Sequence, residues 1–180
     1  MKARITFITG NAAKARELAQ HLDYPVRHKK LDLTEVQSLN LREVVAHKAK
    51  EAYRRVGRPV LVEDTSLVFR ALGALPGPLI KWFSNELGNR GLCELLNGYK
   101  ERNALARVCF GLYDGKKLRL FEGAIKGAIA KHPRGRRGFG WDPIFIPRNC
   151  RTTWGEMTTG EQKETSMRRI ALKKLEAFLR

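Results

Sequence analysis

The sequence predicts an α/β domain built on a long mixed sheet, and three observations predict it. The chain opens as a strand, a glycine turn and a helix. Residues 41–56 form an amphipathic helix that runs almost directly into a short apolar strand. Asp114-Gly115 then joins two long runs of strand-forming residues as a hairpin. Strands that alternate with helices favour parallel neighbours, and a hairpin adds antiparallel ones, so the sheet should be mixed.

The elements follow in order. Residues 3–9, ARITFIT, are rich in β-branched and aromatic residues and read as the first strand, which Gly10-Asn11 breaks. Residues 12–22 read as a helix with Leu18 and Leu22 one turn apart. In the helix over 41–56, Leu41, Val44, Val45, Ala49, Ala52, Tyr53 and Val56 share one face, and Lys48 falls inside it. Residues 59–63, PVLVE, read as a short buried strand. Leu72-Gly73-Ala74-Leu75-Pro76-Gly77-Pro78 is too rich in turn residues for one regular element. Residues 104–113 and 117–130 are the two hairpin strands. Residues 131–140, KHPRGRRGFG, form a glycine-rich basic loop, and 141–147, WDPIFIP, are extended. From about Glu161 the chain reads as a C-terminal helix with Met167, Ile170, Ala171, Leu175 and Phe178 on one side.

Composition narrows the function. Of 180 residues, 43% are hydrophobic, enough for a core, and the length fits one domain or two closely packed lobes. Thirty-five Lys and Arg face 18 Asp and Glu, a net charge of +17. Such a field attracts nucleotides, nucleic acids or an acidic membrane surface, and charge alone does not choose among them. The three cysteines, Cys93, Cys109 and Cys150, form no CxxC pair, which speaks against a disulfide framework or a zinc site and fits a reducing compartment. The opening MKARITFITGN has too short an apolar run for a signal peptide or a membrane span. A cytoplasmic protein with no membrane partner is expected.

Several groups of residues carry chemistry. Thr9-Gly10-Asn11-Ala12-Ala13-Lys14 sets a glycine turn and a lysine at a helix N-terminus, where backbone N–H groups and the helix dipole favour an anion. The pattern lacks the G-x-x-x-x-G-K-[ST] of a P-loop, and taken alone it is better explained by Asn11 as an ordinary helix cap. Glu63-Asp64-Thr65 puts two carboxylates at the carboxyl end of a buried strand, where α/β sheets bind ligands. A hard cation such as magnesium would relieve their repulsion; a strand end reaching solvent is the alternative. Lys48, an ammonium on an apolar face, needs a partner, a cleft or a route to water. Glu35 lies in the polar stretch Asp32-Leu33-Thr34-Glu35-Val36-Gln37. Between Gly123 and Trp141 no acidic residue occurs, and Phe139 and Trp141 could stack on a base at the end of that basic loop.

Read together and in order, these pieces resemble a known family. The Thr9-Gly10-Asn11-x-x-Lys14 and Glu63-Asp64-Thr65 motifs, then Leu75-Pro76-Gly77-Pro78-Leu79-Ile80-Lys81-Trp82-Phe83 and Gly138-Phe139-Gly140-Trp141-Asp142-Pro143-Ile144-Phe145, are similar to the inosine triphosphate pyrophosphatases, also called non-canonical purine nucleotide or XTP/dITP diphosphatases. The likeness runs from residue 5 to about 179. It implies one two-lobed domain over 1–180: an elongated mixed sheet flanked by helices, with a deep substrate cleft. It implies a homodimer that uses Mg²⁺ to cut ITP, dITP or XTP to the monophosphate and pyrophosphate. Carried over by position, Thr9, Gly10, Asn11, Lys14 and Lys48 would grip phosphate. Glu35 and Asp64 would hold the metal, with Asp64, Glu63 and Lys48 in the chemistry. Thr65 and Lys81 would lie beside the substrate. Phe139, Gly140, Trp141, Asp142, Lys163 and Arg168 would hold base and sugar.

The closing motif departs from the family's Ser-His-Arg: here it reads Ser166-Met167-Arg168. A thioether gives no hydrogen bond to a purine oxygen, so weaker discrimination between bases is expected. The spacing leaves either Lys163 or Gln162 in the place of the family's upstream lysine. Three alternatives stand beside the main expectation: a pyrophosphatase of different base preference, a degenerate relative that binds nucleotides without cutting them, and a basic nucleic-acid-binding protein. The last gives Glu63 and Asp64 no reason to share a strand end.

Overall fold

A computed structural model describes residues 5–22 and 24–180, with Gln20 and His21 described by backbone alone. Residues 3 and 4 of the expected first strand lie outside these. The chain forms β1 (Ile5–Ile8), α1 (Ala12–His21), β2 (Val26–Lys29), α2 (Leu41–Val56), β3 (Val60–Phe69), β4 (Pro76–Gly77), α3 (Ile80–Glu94), β5 (Asn103–Tyr113), β6 (Leu118–Ile129), β7 (Phe145–Pro147), α4 (Thr159–Glu164) and α5 (Met167–Leu179). The strands make one seven-stranded sheet in the order β2-β1-β3-β5-β6-β7, with β4 paired to β3. β1 runs parallel to β2 and β3, whereas β4 is antiparallel to β3 and β7 to β6. The sheet is therefore mixed, as expected. Among the described residues no helix is long and apolar enough to cross a membrane.

The chain packs as two compact units. One comprises the residues up to Asp64 with Val108–Gly123 and Arg168–Arg180; the other comprises Thr65–Arg107 and Ala124–Met167.

In the first unit α2 covers one face of the sheet. Leu41, Val45, Ala49 and Ala52 pack with Ile8, Val60, Val62 and Cys109, all buried. Each buried Leu or Val side chain of this face is worth about 1.5–3 kcal/mol relative to exposure. The helix approaches so closely that a Cβ on Gly111 would lie 2.6 Å from Val45 Cγ1. Asn40 caps its start by accepting from the Arg42 N–H, and Gly57 ends it in the left-handed region at φ 66°. Residues alternate across a strand, so Val60, Val62 and Asp64 face α2 while Leu61 and Glu63 face the other side. There Glu63 meets Lys14 of α1 and Arg168 of α5.

In the second unit Arg102 is the central tie. Its guanidinium donates to the carbonyls of Ile129 (2.9 Å), Leu96 (3.2 Å), Cys93 (2.9 Å) and Ala130 (2.7 Å). Trp141, Phe145 and Trp154 form an aromatic cluster with centroids 4.5–5.8 Å apart.

The structure corrects three sequence expectations. The strand expected at 59–63 continues to Phe69, because Thr65-Ser66-Leu67-Val68-Phe69 keep strand character and pair with β4. The single C-terminal helix is two helices. Thr158 and Glu161 form a capping box that starts α4. Thr165, which accepts from Trp154 Nε1 at 2.8 Å, ends it before α5 begins. The stretch 141–147 is extended only from Phe145; Asp142–Ile144 make a 3-10 turn.

Candidate functional site

The first unit brings most of the expected catalytic groups together. Lys48 extends from α2 between two carboxylates: its Nζ lies 2.7 Å from Asp64 Oδ2 and 3.0 Å from Glu35 Oε1. This settles how an ammonium sits in an apolar helix face, since it is paired rather than snorkelling. Burial alone would lower the Lys48 pKa, but the charges and hydrogen bonds of Asp64 and Glu35 outweigh it and hold the pKa above its ordinary value.

On the opposite face of β3, Glu63 anchors a second cluster. Its Oε1 accepts from Arg168 Nε at 3.0 Å and Nη2 at 2.7 Å, and lies 3.4 Å from Lys14 Nζ. Arg168 Nη1 also lies 3.1 Å from Glu17 Oε2. Burial pushes the Glu63 carboxyl up, yet Arg168 and Lys14 together bring it below its ordinary value. Glu63 and Asp64, adjacent in β3, therefore serve opposite faces: Glu63 meets Lys14 of α1, and Asp64 meets Lys48 of α2. Neither carboxylate ends its strand: both stand mid-β3, just past Val60 and Leu61, where β1 pairs with it.

The glycine turn lies where β1 gives way to α1. Asn11 caps α1, accepting from the N–H groups of Ala13 (2.9 Å) and Lys14 (3.3 Å), and Thr9 Oγ1 accepts from the Asn11 N–H at 3.1 Å. Both sequence readings thus describe one object, a capped helix that presents a lysine. The neighbouring β2 adds His28, whose Nε2 lies 2.9 Å from the Thr9 carbonyl. Sequence reasoning missed His28 because β2, three-quarters exposed, has no apolar alternation to mark it.

Glu35 and Asp64 already share one cationic group, and oxygen donors suit magnesium. Among the described residues no group of three or more His, Cys, Asp or Glu stands ready as a closed cage. Two carboxylates, with phosphate and water completing the shell, match the way magnesium is usually held beside nucleotides.

In the second unit the basic loop is ordered around Asp142. Asp142 Oδ2 accepts the Phe139 N–H at 2.7 Å, and Gly138, at φ 76°, lies so close that a Cβ there would fall 2.0 Å from the same oxygen. Arg137 N–H reaches the Gly155 carbonyl at 2.9 Å, and Asn89 Nδ2 reaches the Gly140 carbonyl at 2.9 Å. Phe139 is half-buried, but Trp141 is buried against Phe145 and Trp154. Thr65 is half-buried, and Lys81 is exposed with its Nζ 5.3 Å from the centre of the Trp82 ring. Gln162 donates its side-chain amide to the Trp154 carbonyl, and the next residue, Lys163, is half-buried. Met167 is buried at the head of α5.

Sequence reasoning also missed Glu17 and Glu51. The signal for Glu51 was present, three residues after Lys48 and four before Arg55 on one helix.

Known proteins match this chain along nearly its whole length. It is 43% identical over 178 residues to inosine triphosphate pyrophosphatase 2 of Trypanosoma cruzi (strain CL Brener), covering 97% of this chain and 91% of that protein. It is 40% identical over 179 residues to the inosine triphosphate pyrophosphatase of Schizosaccharomyces pombe (strain 972 / ATCC 24843), covering 97% and 94%. The solved structure of a HAM1 protein from Coxiella burnetii superposes with a TM-score of 0.85 at 26% identity, covering 98% of both chains. The pattern of the Ham1 family matches residues 5–178, and the chain belongs to that family.

Proposed function

We propose that this protein hydrolyses non-canonical purine nucleoside triphosphates such as ITP, dITP and XTP to the monophosphate and pyrophosphate. The observation that carries this is the ammonium of Lys48 held between Glu35 and Asp64, with Lys14 beside the preceding strand residue, Glu63. Relatives named as inosine triphosphate pyrophosphatases, at 40–43% identity, support the substrate class.

Lys14, with the turn Thr9-Gly10-Asn11, takes the phosphate tail, and phosphate replaces Glu63 as the partner of its ammonium. Lys48 neutralises charge on the phosphates. Glu35 and Asp64 hold a magnesium ion, which supplies Lewis-acid charge neutralisation when bound. Asp64 also accepts the proton of a water that attacks the α-phosphorus. The new bond joins the water oxygen to that phosphorus, the bond to the bridging α–β oxygen breaks, and that oxygen leaves with pyrophosphate. Glu63, held by Arg168, steadies β3 after phosphate has taken Lys14. By the resemblance, Thr65, Lys81, Phe139, Gly140, Asp142 and Lys163 serve the base and sugar; Trp141, buried against Phe145 and Trp154, and Arg168, engaged by Glu63 and Glu17, hold their own surroundings in place. With Gln162 committed to Trp154, Lys163 takes the place of the family's lysine. One two-lobed domain, a homodimer and a cytoplasmic setting belong to the same proposal through the resemblance.

Met167 favours a second reading on specificity. A buried thioether heads α5 beside Arg168 and carries no donor for a base edge, so selection of 6-oxo over 6-amino purines is weaker than in a relative with histidine there. A nucleic-acid-binding role explains the +17 charge but not the Lys48 triad.

The test is pyrophosphate release from ITP, XTP, dITP, GTP, ATP and UTP, with magnesium or EDTA, by the wild type and by Asp64→Asn. Turnover of ITP, XTP and dITP that requires both magnesium and Asp64 supports the proposal. No release from any triphosphate, with tight and steeply salt-dependent nucleic-acid binding, would overturn it.

A further inference from the structure

Helix α2 carries a polar stripe made of Lys48, Glu51 and Arg55, spaced three and four residues apart on one side. Each member holds a different residue of the irregular segment before the helix. Lys48 Nζ donates to Glu35 Oε1 at 3.0 Å. Glu51 Oε2 accepts the Thr34 N–H at 2.9 Å, and its Oε1 accepts from Thr34 Oγ1 at 3.4 Å. Arg55 Nη1 donates to the Asp32 carbonyl at 2.7 Å, and its Nη2 to Glu51 Oε1. The segment is thus pinned at residues 35, 34 and 32 in an order antiparallel to the helix.

We propose that Glu51 is a positioning residue: from the middle of α2 it fixes the backbone at Thr34, so that the carboxylate of the next residue, Glu35, meets Lys48 beside Asp64. The proposal rests on the reading that Glu35 and Asp64 hold a divalent cation. Glu51 is 7% exposed, unusual for a carboxylate, and both of its oxygens are committed to this segment and to Arg55. Burial pushes its pKa up, and the Thr34 N–H and the Arg55 guanidinium bring it below the ordinary value, so it stays ionised at neutral pH. The Lys48 rung opens whenever a cation or phosphate claims its partners. The Glu51 rung touches neither, so it can hold the segment through that exchange.

The experiment measures Mn²⁺ binding to the full chain by electron paramagnetic resonance of the free ion, with circular dichroism to confirm folding. Outer residues that orient a metal ligand change affinity by about 10–100-fold, so Glu51→Ala should weaken Mn²⁺ binding about tenfold or more. Glu51→Gln keeps a carbonyl oxygen for the Thr34 N–H and should stay within about threefold of the wild type. A folded Glu51→Ala protein that binds Mn²⁺ as the wild type does would overturn the proposal. If Glu51→Ala does not fold, the exposed Arg55→Met removes the flanking rung instead and should weaken binding about threefold or more, and unchanged affinity would overturn the proposal equally. Glu35→Gln separates the two levels. If it leaves Mn²⁺ affinity unchanged, the cation reading itself fails; if only the Glu51 and Arg55 variants do, positioning alone fails.

Discussion

Glu63→Gln tests how the buried network under β3 holds together. The Glu63 side chain is 1% exposed and is shared by Arg168 and Lys14. The amide keeps the shape and one acceptor oxygen but removes the charge that two cations face. Breaking a buried pair costs about 3–5 kcal/mol, and the retained acceptor argues for the lower end, about 3 kcal/mol. For a chain of this length each kcal/mol moves Tm by about 2–4 °C, so Tm should fall by about 6–12 °C at pH 7. The pH dependence gives a second, independent check. Glu63 has its folded pKa below its ordinary value of 4.5. Its stabilisation is therefore complete above 4.5 and is lost as pH falls through the folded pKa. Calorimetric melts from pH 7 to pH 3 should show a constant gap between wild type and variant at the upper end, which closes below 4.5. A gap under about 2 °C at pH 7, or one that stays constant to pH 3, would refute the reasoning.

Other expectations follow from the same geometry. Arg102→Met strips four carbonyls of a shared donor and should cost about 3 kcal/mol or more, read as the largest Tm loss among single surface-to-core changes in the second unit. Gly138→Ala forces a Cβ onto Asp142 at a left-handed φ; it should cost about 1–3 kcal/mol in melts and raise KM for ITP more than it lowers kcat, and an unchanged KM would count against a role for the loop in binding. Lys48→Met should melt lower than wild type by a margin constant from pH 7 to 9. Because the folded Lys48 pKa is raised above 10.5, the margin should shrink only as pH rises through that higher value.

Much of the fold was legible because its strongest signals are local. The apolar face of α2, the Asp114-Gly115 hairpin and the glycine break after β1 each follow from residue spacing. What was not legible has physical reasons. β2 is an edge strand whose Arg27, His28 and Lys29 are exposed, so no alternation marks it. α3 buries only Ile80, Leu92 and Cys93, leaves Trp82 and Leu87 exposed, and is interrupted at Gly88. Its apolar pattern is therefore not that of one amphipathic helix. At the site, Lys48 stood out as a charge on an apolar face, and the structure explains the anomaly by Asp64 and Glu35. The partnership of Glu63 with Arg168 spans 105 residues of sequence, and no local pattern announces it. Nor did the strand reading reveal that Glu63 and Asp64 face opposite sides, because that depends on β3 running on to Phe69.

The position of bond cleavage is the point on which the proposed chemistry turns. Hydrolysis of ITP in ¹⁸O-water, with products resolved by mass spectrometry, reads it directly. The label should appear in IMP, with unlabelled pyrophosphate as the other product. Label in pyrophosphate, or release of IDP and labelled phosphate, would contradict attack at the α-phosphorus.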